Sequence, residues 1–325
     1  LRPGWQLQET FDADQRARVQ PLYMKNENPL GPSPRLQPEL ERWAREVEFG
    51  RYDVGDFYFD RLKNIIAGLE GLENEQIFIG PGSRAVIASL LLRLKTRGFD
   101  RLVMPFPDYS EVENYAKEIG FQTLRVPFGP GSNEHPLKEM QAEDSSKTIF
   151  YFSSPHLPYG TTVSLETLEK FLLASPKSIV VMDEAYIDFL SQDFRSISAK
   201  SLLARFNRLL VIRTFSKMHS LAGMRIGYAL IPPGMKKKYF FDYRFYRIVN
   251  PLAASLASLS LTDEEHMEAT RQEVRSTMAK LRDRAAVEGP GMAILPTPAN
   301  FYTVRIPYTE KNSLMRTWEA KAKAW

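Results

Sequence analysis

Short apolar runs alternate with stretches whose apolar positions recur every three or four residues through the middle of the chain. The runs fall at residues 76–80, 101–105, 148–152, 178–182, 208–212 and 225–231. Most are continuous in Val, Ile, Leu and Phe, the pattern of strands buried on both faces. Between them Leu62, Ile65, Ile66 and Leu69, then Ile87, Leu90, Leu91 and Leu94, follow the spacing that gives a helix one apolar stripe. Strands alternating with such helices predict βαβ units, hence an α/β fold with a mostly parallel sheet sandwiched by helices.

After Pro232 the pattern changes to a charge-rich helical stretch reaching about Glu288, interrupted at Asn250-Pro251 and near 261–263, and ended by Gly289-Pro290-Gly291. Beyond it, strands are predicted near 292–295 and 300–306, with a last helix from about Lys311. The expected organisation is an N-terminal arm (1–32), a large domain (33–245) and a smaller α/β C-terminal domain (246–325).

Composition narrows the chemistry. Among 325 residues, 43 Lys and Arg face 39 Asp and Glu, a formal net charge of +4. That is well short of a concentrated basic face, so no nucleic-acid partner is expected. There is no cysteine, and His135, His156, His219 and His266 show no metal-ligand spacing, so no metal, thiolate or disulfide is expected. No apolar run reaches the ~18 residues of a membrane span, and residues 1–20 lack the build of a secretory signal. A cytoplasmic protein acting on a small molecule is the expectation. Because the sequence opens on Leu1, its natural start is expected upstream.

The segment from Arg213 to Tyr228 carries the strongest signal. A strand there ends in a polar turn holding Ser216 and Lys217, and the next strand begins at Arg225. Ligands of parallel sheets bind at such carboxyl ends. A lysine there can form a Schiff base with an aldehyde cofactor, while Ser216 and Arg225 can hold a phosphate. An isolated Ser-Lys would read as surface; the pattern around it changes that weighting. The run at 178–182 ends in Asp183-Glu184-Ala185-Tyr186, which puts a carboxylate at the same edge, suited to a protonated pyridine nitrogen, with Tyr186 near the ring's 3-oxygen. A helix cap is the plainer role for Asp183. Gly80-Pro81-Gly82-Ser83-Arg84 opens a helix whose N-terminus suits an anion. Tyr109 can cover a flat ring or fill the core.

Taken in order, Gly82-Ser83-Arg84, Pro107-Asp108-Tyr109, Ser154 to Gly160, Asp183 to Tyr186, Ser216-Lys217 and Leu221 to Arg225 resemble the fold-type I, pyridoxal-phosphate-dependent aminotransferases, above all the histidinol-phosphate aminotransferase group. The resemblance runs from about residue 23 to about 305 and includes Asn26 to Gly31 and Asn300-Phe301. It implies an aminotransferase-like fold and pyridoxal 5'-phosphate as cofactor. It also implies Lys217 as Schiff-base lysine and proton carrier, Asp183 at the pyridine nitrogen, Tyr186 at the 3-oxygen and Tyr109 on the ring. Gly82, Ser83, Arg84, Ser216 and Arg225 would hold the phosphate, joined by Tyr52 from the partner subunit of a homodimer with shared sites. Asn26, Asn28 and Gly31 would face the substrate.

Three departures stand out. Leu157 occupies the place of the family's asparagine that donates to the 3-oxygen, a bond worth roughly 1.5–3 kcal/mol. Altered or slower chemistry is expected, with His156 able to compensate only by turning inward; the plainer expectation for it is a surface loop histidine. Arg84 replaces a residue that is usually acidic in the family and either serves an anion or pairs with a nearby glutamate. The family's carboxylate-binding arginine would follow Trp325, since Arg305 comes too early and reads as structural. Lys236, Lys237 and Lys238 read as a solvated helix face, and Phe240, Phe241, Tyr243, Phe245 and Tyr246 as packing near a domain junction. Transamination of an amino acid or amine is the first expectation. Decarboxylation or other α, β or γ bond chemistry is the alternative, and a non-catalytic cofactor-binding homologue the third.

Overall fold

The structure is a computed structural model and describes residues 25–46, 53–129, 131–235, 248–288 and 293–305. Two helices come first, α1 (Leu36–Glu46) and α2 (Asp53–Glu70). Then follow β1 (Ile77–Gly80), α3 (Ser83–Lys95), β2 (Arg101–Phe106), α4 (Ser110–Glu118) and β3 (Gln122–Pro127). The centre holds α5 (Leu137–Gln141), β4 (Thr148–Ser153), α6 (Leu165–Ala174), β5 (Ile179–Asp183), β6 (Leu209–Thr214) and β7 (Gly227–Leu230). Two helices, α7 (Pro251–Ser260) and α8 (Glu264–Glu288), and the short strands β8 (Ala293–Ile294) and β9 (Val304–Arg305) close the described chain.

The seven longer strands form one sheet in the order β1-β7-β6-β5-β4-β2-β3. Only β7 runs antiparallel to its neighbours, β1 and β6. The six predicted strands of this sheet correspond to β1, β2, β4, β5, β6 and β7. Strand β3, which the apolar pattern passed over, pairs parallel with β2 at the edge and keeps polar Gln122, Thr123 and Arg125.

Alternation along the central strands separates two cores. Phe150, Phe152, Val180, Met182, Leu209 and Val211 pack on the face covered by α2, α6 and α7. Ile149, Tyr151, Ile179, Val181, Leu210 and Ile212 pack on the face covered by α3 and α4. Both predicted helical stripes point inward: Leu62 and Ile66 on α2, and Ile87, Leu90, Leu91 and Leu94 on α3, are buried. The predicted break at residue 250 is a helix start. Asn250 caps α7 by accepting from Leu252 N–H at 2.9 Å, and Pro251 takes the first-turn place where no N–H bond is lost.

A third apolar cluster joins Tyr186, Ile187, Phe189 and Met218 to Met267, Val274 and Met278 of α8 and to Phe301, with Leu157 packed against it. Among the described residues no helix is long and apolar enough to cross a membrane. Tyr52, Lys236 to Lys238, the aromatic residues from Phe240 to Tyr246 and the helix expected from Lys311 lie outside the described residues.

Candidate active site

Because β1 is parallel to β2 through β6, the carboxyl ends of these strands and the start of β7 share one edge of the sheet. That edge gathers Gly82, Tyr109, the 154–160 loop, Asp183 to Tyr186, Ser216, Lys217 and Arg225, which are scattered in sequence.

Gly82 is the N-cap of α3 with φ of 90° and provides no side-chain cap, so first-turn N–H groups stay available to a ligand. A Cβ on Gly82 would lie 2.7 Å from Arg225 Nη2, and one on Gly227 only 2.5 Å from Ser83 N. The two glycines thus let the start of β7 lie directly on the helix turn. Arg225 adopts a left-handed backbone and donates from Nη1 to the Ala222 carbonyl at 2.6 Å. Ser216 is half-buried in the adjoining turn. Helix N–H groups, the hydroxyl of Ser216 and the Arg225 guanidinium are groups that could hold a phosphate here. Arg84 points elsewhere: it pairs with Glu111 at 2.8 Å, and its hydrogen bond with Tyr109 raises it above the usual arginine value. Of the two roles open to Arg84, the ion pair is the one formed.

Period-two alternation aims two adjacent carboxylates in opposite directions. Asp183 is buried; its Oδ2 accepts from the Tyr151 hydroxyl at 2.7 Å and its Oδ1 from Ala185 N–H at 3.0 Å. Burial raises its pKa, while these hydrogen bonds and the nearby Lys217 pull the other way. Glu184 instead meets Arg213 Nε at 2.9 Å and the Ser198 hydroxyl at 2.7 Å in a buried ion pair behind the sheet. Tyr151 went unnoticed in the sequence because it sits in an apolar strand.

Lys217 follows β6, the neighbour of β5. Its Nζ donates to the Lys25 carbonyl at 2.6 Å and lies 5.5 Å from the centre of the Tyr186 ring. Burial lowers its pKa, opposed by Glu27 and Asp183, which favours a reactive neutral amine. Burial also raises the Tyr186 phenol, keeping it a proton donor, and its oxygen accepts from Asn26 Nδ2 at 2.9 Å.

Of the three arm residues, Asn26 is the one that touches this cluster. Asn28 is buried and donates to the Met218 carbonyl at 2.6 Å and to Thr270 Oγ1 at 3.2 Å. Gly31, at φ of 71°, offers its carbonyl to His266 Nε2 at 3.0 Å. Both seat the arm on α8. Leu157 is half-buried against the cluster containing Tyr186 and Phe301. His156 is corrected from surface to interior: its side chain is fully buried, with the ring 4.7 Å from that of Phe128 and 5.0 Å from that of His135. Arg305 lies exposed in β9, opposite Ala293.

These residues fit pyridoxal 5'-phosphate: an uncapped helix turn closed by two Cβ-free contacts, a buried carboxylate and a half-buried amine on the next strand end match its phosphate, ring nitrogen and aldehyde. The profile of the family described as "Aminotransferase class I and II" matches residues 26–322. The chain belongs to this aminotransferase family. It is 32% identical over 311 residues to histidinol-phosphate aminotransferase 1 of Burkholderia pseudomallei, covering 92% of this chain and 82% of that protein. Histidinol-phosphate aminotransferase 2 of Thiobacillus denitrificans is 34% identical over 299 residues, covering 89% and 77%. Among solved structures, histidinol-phosphate aminotransferase from Sinorhizobium meliloti in complex with pyridoxal-5'-phosphate superposes with a TM-score of 0.75 at 24% identity, covering 86% of this chain and 73% of that one. The fold is the type I aminotransferase fold, and pyridoxal 5'-phosphate is the aminotransferase's cofactor. Decarboxylation is not favoured by these relatives.

Proposed function

We propose that this edge of the sheet is the active site for transamination of an amino acid or amine. Lys217 serves as the reactive amine, Asp183 as partner of the ring nitrogen, Tyr186 as donor to the 3-oxygen and Tyr109 as the ring-covering residue. Gly82, Ser83, Ser216 and Arg225 hold the phosphate, with Arg84 bracing Tyr109. The observation carrying this reading is the placement of a half-buried Lys217 amine over Tyr186, on the strand end next to the buried Asp183 carboxylate. A phosphorylated amino alcohol of the kind named for the relatives is the first substrate to try. The reading includes a homodimer in which Tyr52 reaches the neighbouring site, a cytoplasmic location, and the division into arm (1–32), large domain (33–245) and small domain (246–325).

When bound, the cofactor supplies an aldehyde carbon and an electron sink conjugated to the substrate's α-carbon. The protein does the rest. Asp183 keeps a negative charge against the ring nitrogen, and the Tyr186 hydroxyl gives its proton to a hydrogen bond with the 3-oxygen. Lys217 leaves the Lys25 carbonyl, takes up a proton at Nζ from the α-carbon and delivers it again. With Leu157 offering no donor, Tyr186 carries more of the 3-oxygen's charge.

Borohydride reduction of the loaded protein should bleach its visible absorbance and label Lys217, whereas protein that stays colourless with the cofactor would overturn the reading. Conversion to the pyridoxamine form by added histidinol phosphate or amino acids, without carbon dioxide release, establishes transfer.

A further inference from the structure

The side chains of Asp108 and His156 are 0% exposed, yet neither is among the residues proposed to touch the cofactor. Asp108 Oδ1 accepts from Tyr109 N–H at 2.7 Å and from the Ser153 hydroxyl at 2.8 Å, and Oδ2 accepts from Ser153 N–H at 3.2 Å. The Ser153 hydroxyl in turn accepts from Leu157 N–H at 3.2 Å, and Ser153 stands in register with Asp183. One carboxylate therefore braces the backbone of Tyr109, the loop bearing Leu157 and the strand beside Asp183.

His156 completes the arrangement. Tyr159 N–H points at its Nδ1 from 3.4 Å, which places the ring proton on Nε2. Nε2 makes no hydrogen bond of good geometry, faces the Pro107 carbonyl and lies 3.7 Å from Asp108 Oδ2. The tyrosine ring stacks on the imidazole at 5.4 Å. A helix cap alone would need neither full burial nor a buried imidazole 3.7 Å from its Oδ2.

We propose that Asp108 and His156 form a buried positioning pair for the transamination, holding Tyr109 and the Leu157 loop in place and setting a carboxylate beside Asp183. The proposal rests on the reading that Tyr109 and Asp183 face the cofactor. No lysine or arginine among the described residues pairs with either member. The titratable groups facing them are Asp183 on β5, Tyr151 on β4, His135 ahead of α5, Tyr109 at the start of α4 and Tyr159 in the His156 loop. Burial, with Asp183 adding like charge, pushes Asp108 up to about 7. Burial and His135 push His156 down to about 3. At neutral pH the imidazole is uncharged, and the carboxylate changes charge in the working range.

The test compares wild type with Asp108→Asn, His156→Phe and His156→Gln. Visible absorbance of the loaded proteins is titrated from about pH 5 to about pH 9, and the dissociation constant for pyridoxal 5'-phosphate is measured. Wild type should show a step near the Asp108 value that Asp108→Asn lacks. Loss of that charge should lower the remaining midpoint by about half a pH unit. His156→Phe should move the Asp108 step upward, and His156→Gln, which keeps an N–H donor, should restore it. Folded, coloured variants with the wild-type titration would overturn the proposal and leave Asp108 a turn cap.

Histidine-ring nitrogen spectra of the cofactor-free wild type provide a reading that needs neither loading nor a variant. The His156 Nε2 signal should follow the ionisation of Asp108, and a flat signal across the same range would overturn the pair. Colourless wild type with a responding His156 signal would instead count against the cofactor site and not against the pair.

Discussion

Asn26 Nδ2 donates to the Tyr186 hydroxyl at 2.9 Å, across 160 positions of sequence. With its oxygen held as an acceptor, Tyr186 has its own proton free to give, and burial keeps that proton in place. Asn26 has φ of 52°, a left-handed conformation that glycine tolerates, so Asn26→Gly deletes the amide without new backbone strain. The variant should weaken cofactor binding or slow turnover about fivefold, the worth of one hydrogen bond of ~1 kcal/mol. Cofactor titration and steady-state rates will read this, and rates and affinity equal to wild type would remove Asn26 from the site.

Leu157→Asn restores a donor beside the predicted 3-oxygen position. A donor there stabilises the anionic oxygen, so the pH midpoint of the visible absorbance change should fall by about one unit. The same change removes apolar packing from the cluster around Tyr186 and Phe301 and should cost roughly 1–2 kcal/mol in denaturant unfolding. An unmoved midpoint would show that residue 157 does not face that oxygen.

Gly227→Ala places a methyl 2.5 Å from Ser83 N and 3.0 Å from both the Arg213 carbonyl oxygen and the Gly82 carbonyl carbon. All three are backbone atoms that cannot rotate away. The expected outcome is at least about a tenfold weaker grip on pyridoxal 5'-phosphate and a stability loss of about 1–3 kcal/mol. Gly223→Ala, whose added methyl meets nothing within 4 Å, is the matched control and should bind as wild type does.

His219 is buried against Phe215, with Nδ1 2.8 Å from Ser260 Oγ, and burial followed by the Arg195 charge lowers it to about 3. The unfolded chain takes up a proton near the ordinary histidine value of ~6.5, whereas the folded chain does not. This contribution to stability is therefore intact above that value and lost as pH falls towards about 3. Between about pH 6.5 and pH 5 the wild type should lose about 2 kcal/mol more than His219→Gln, measured by urea unfolding at both pH values.

The skeleton of the site was legible because its parts stand at strand ends. Lys217 and Asp183 follow apolar runs, and the glycines of the turn proposed for the phosphate stand between a strand and a helix stripe. Tyr151 was not legible, since Thr-Ile-Phe-Tyr-Phe-Ser reads as one buried strand. Only pairing shows that Tyr151 and Ser153 share the face of Asp183. His156 and Asp108 belong to turns 48 positions apart, and local pattern has no means of joining them. Edge strand β3 escaped because its exposed polar side chains break the apolar run that marks central strands.

The opposed carboxylates of β5 also bear on how the chain finds its fold. A strand of continuous apolar residues tolerates a slip of one position, because Ile, Val and Met suit either face. Here such a slip would swing Glu184 toward the cofactor edge and leave Asp183, shorter by a methylene, facing Arg213 and the Ala199 N–H that now binds Glu184 at 2.7 Å. A misaligned sheet would therefore pair the buried Arg213 guanidinium with a carboxylate too short to reach it as Glu184 does, leaving the 3.6 Å contact with Asp188 as its remaining ion pair. The pair of Glu184 and Arg213 thus ties the register of β5 to that of β6, and with it the placing of Asp183 beside Lys217.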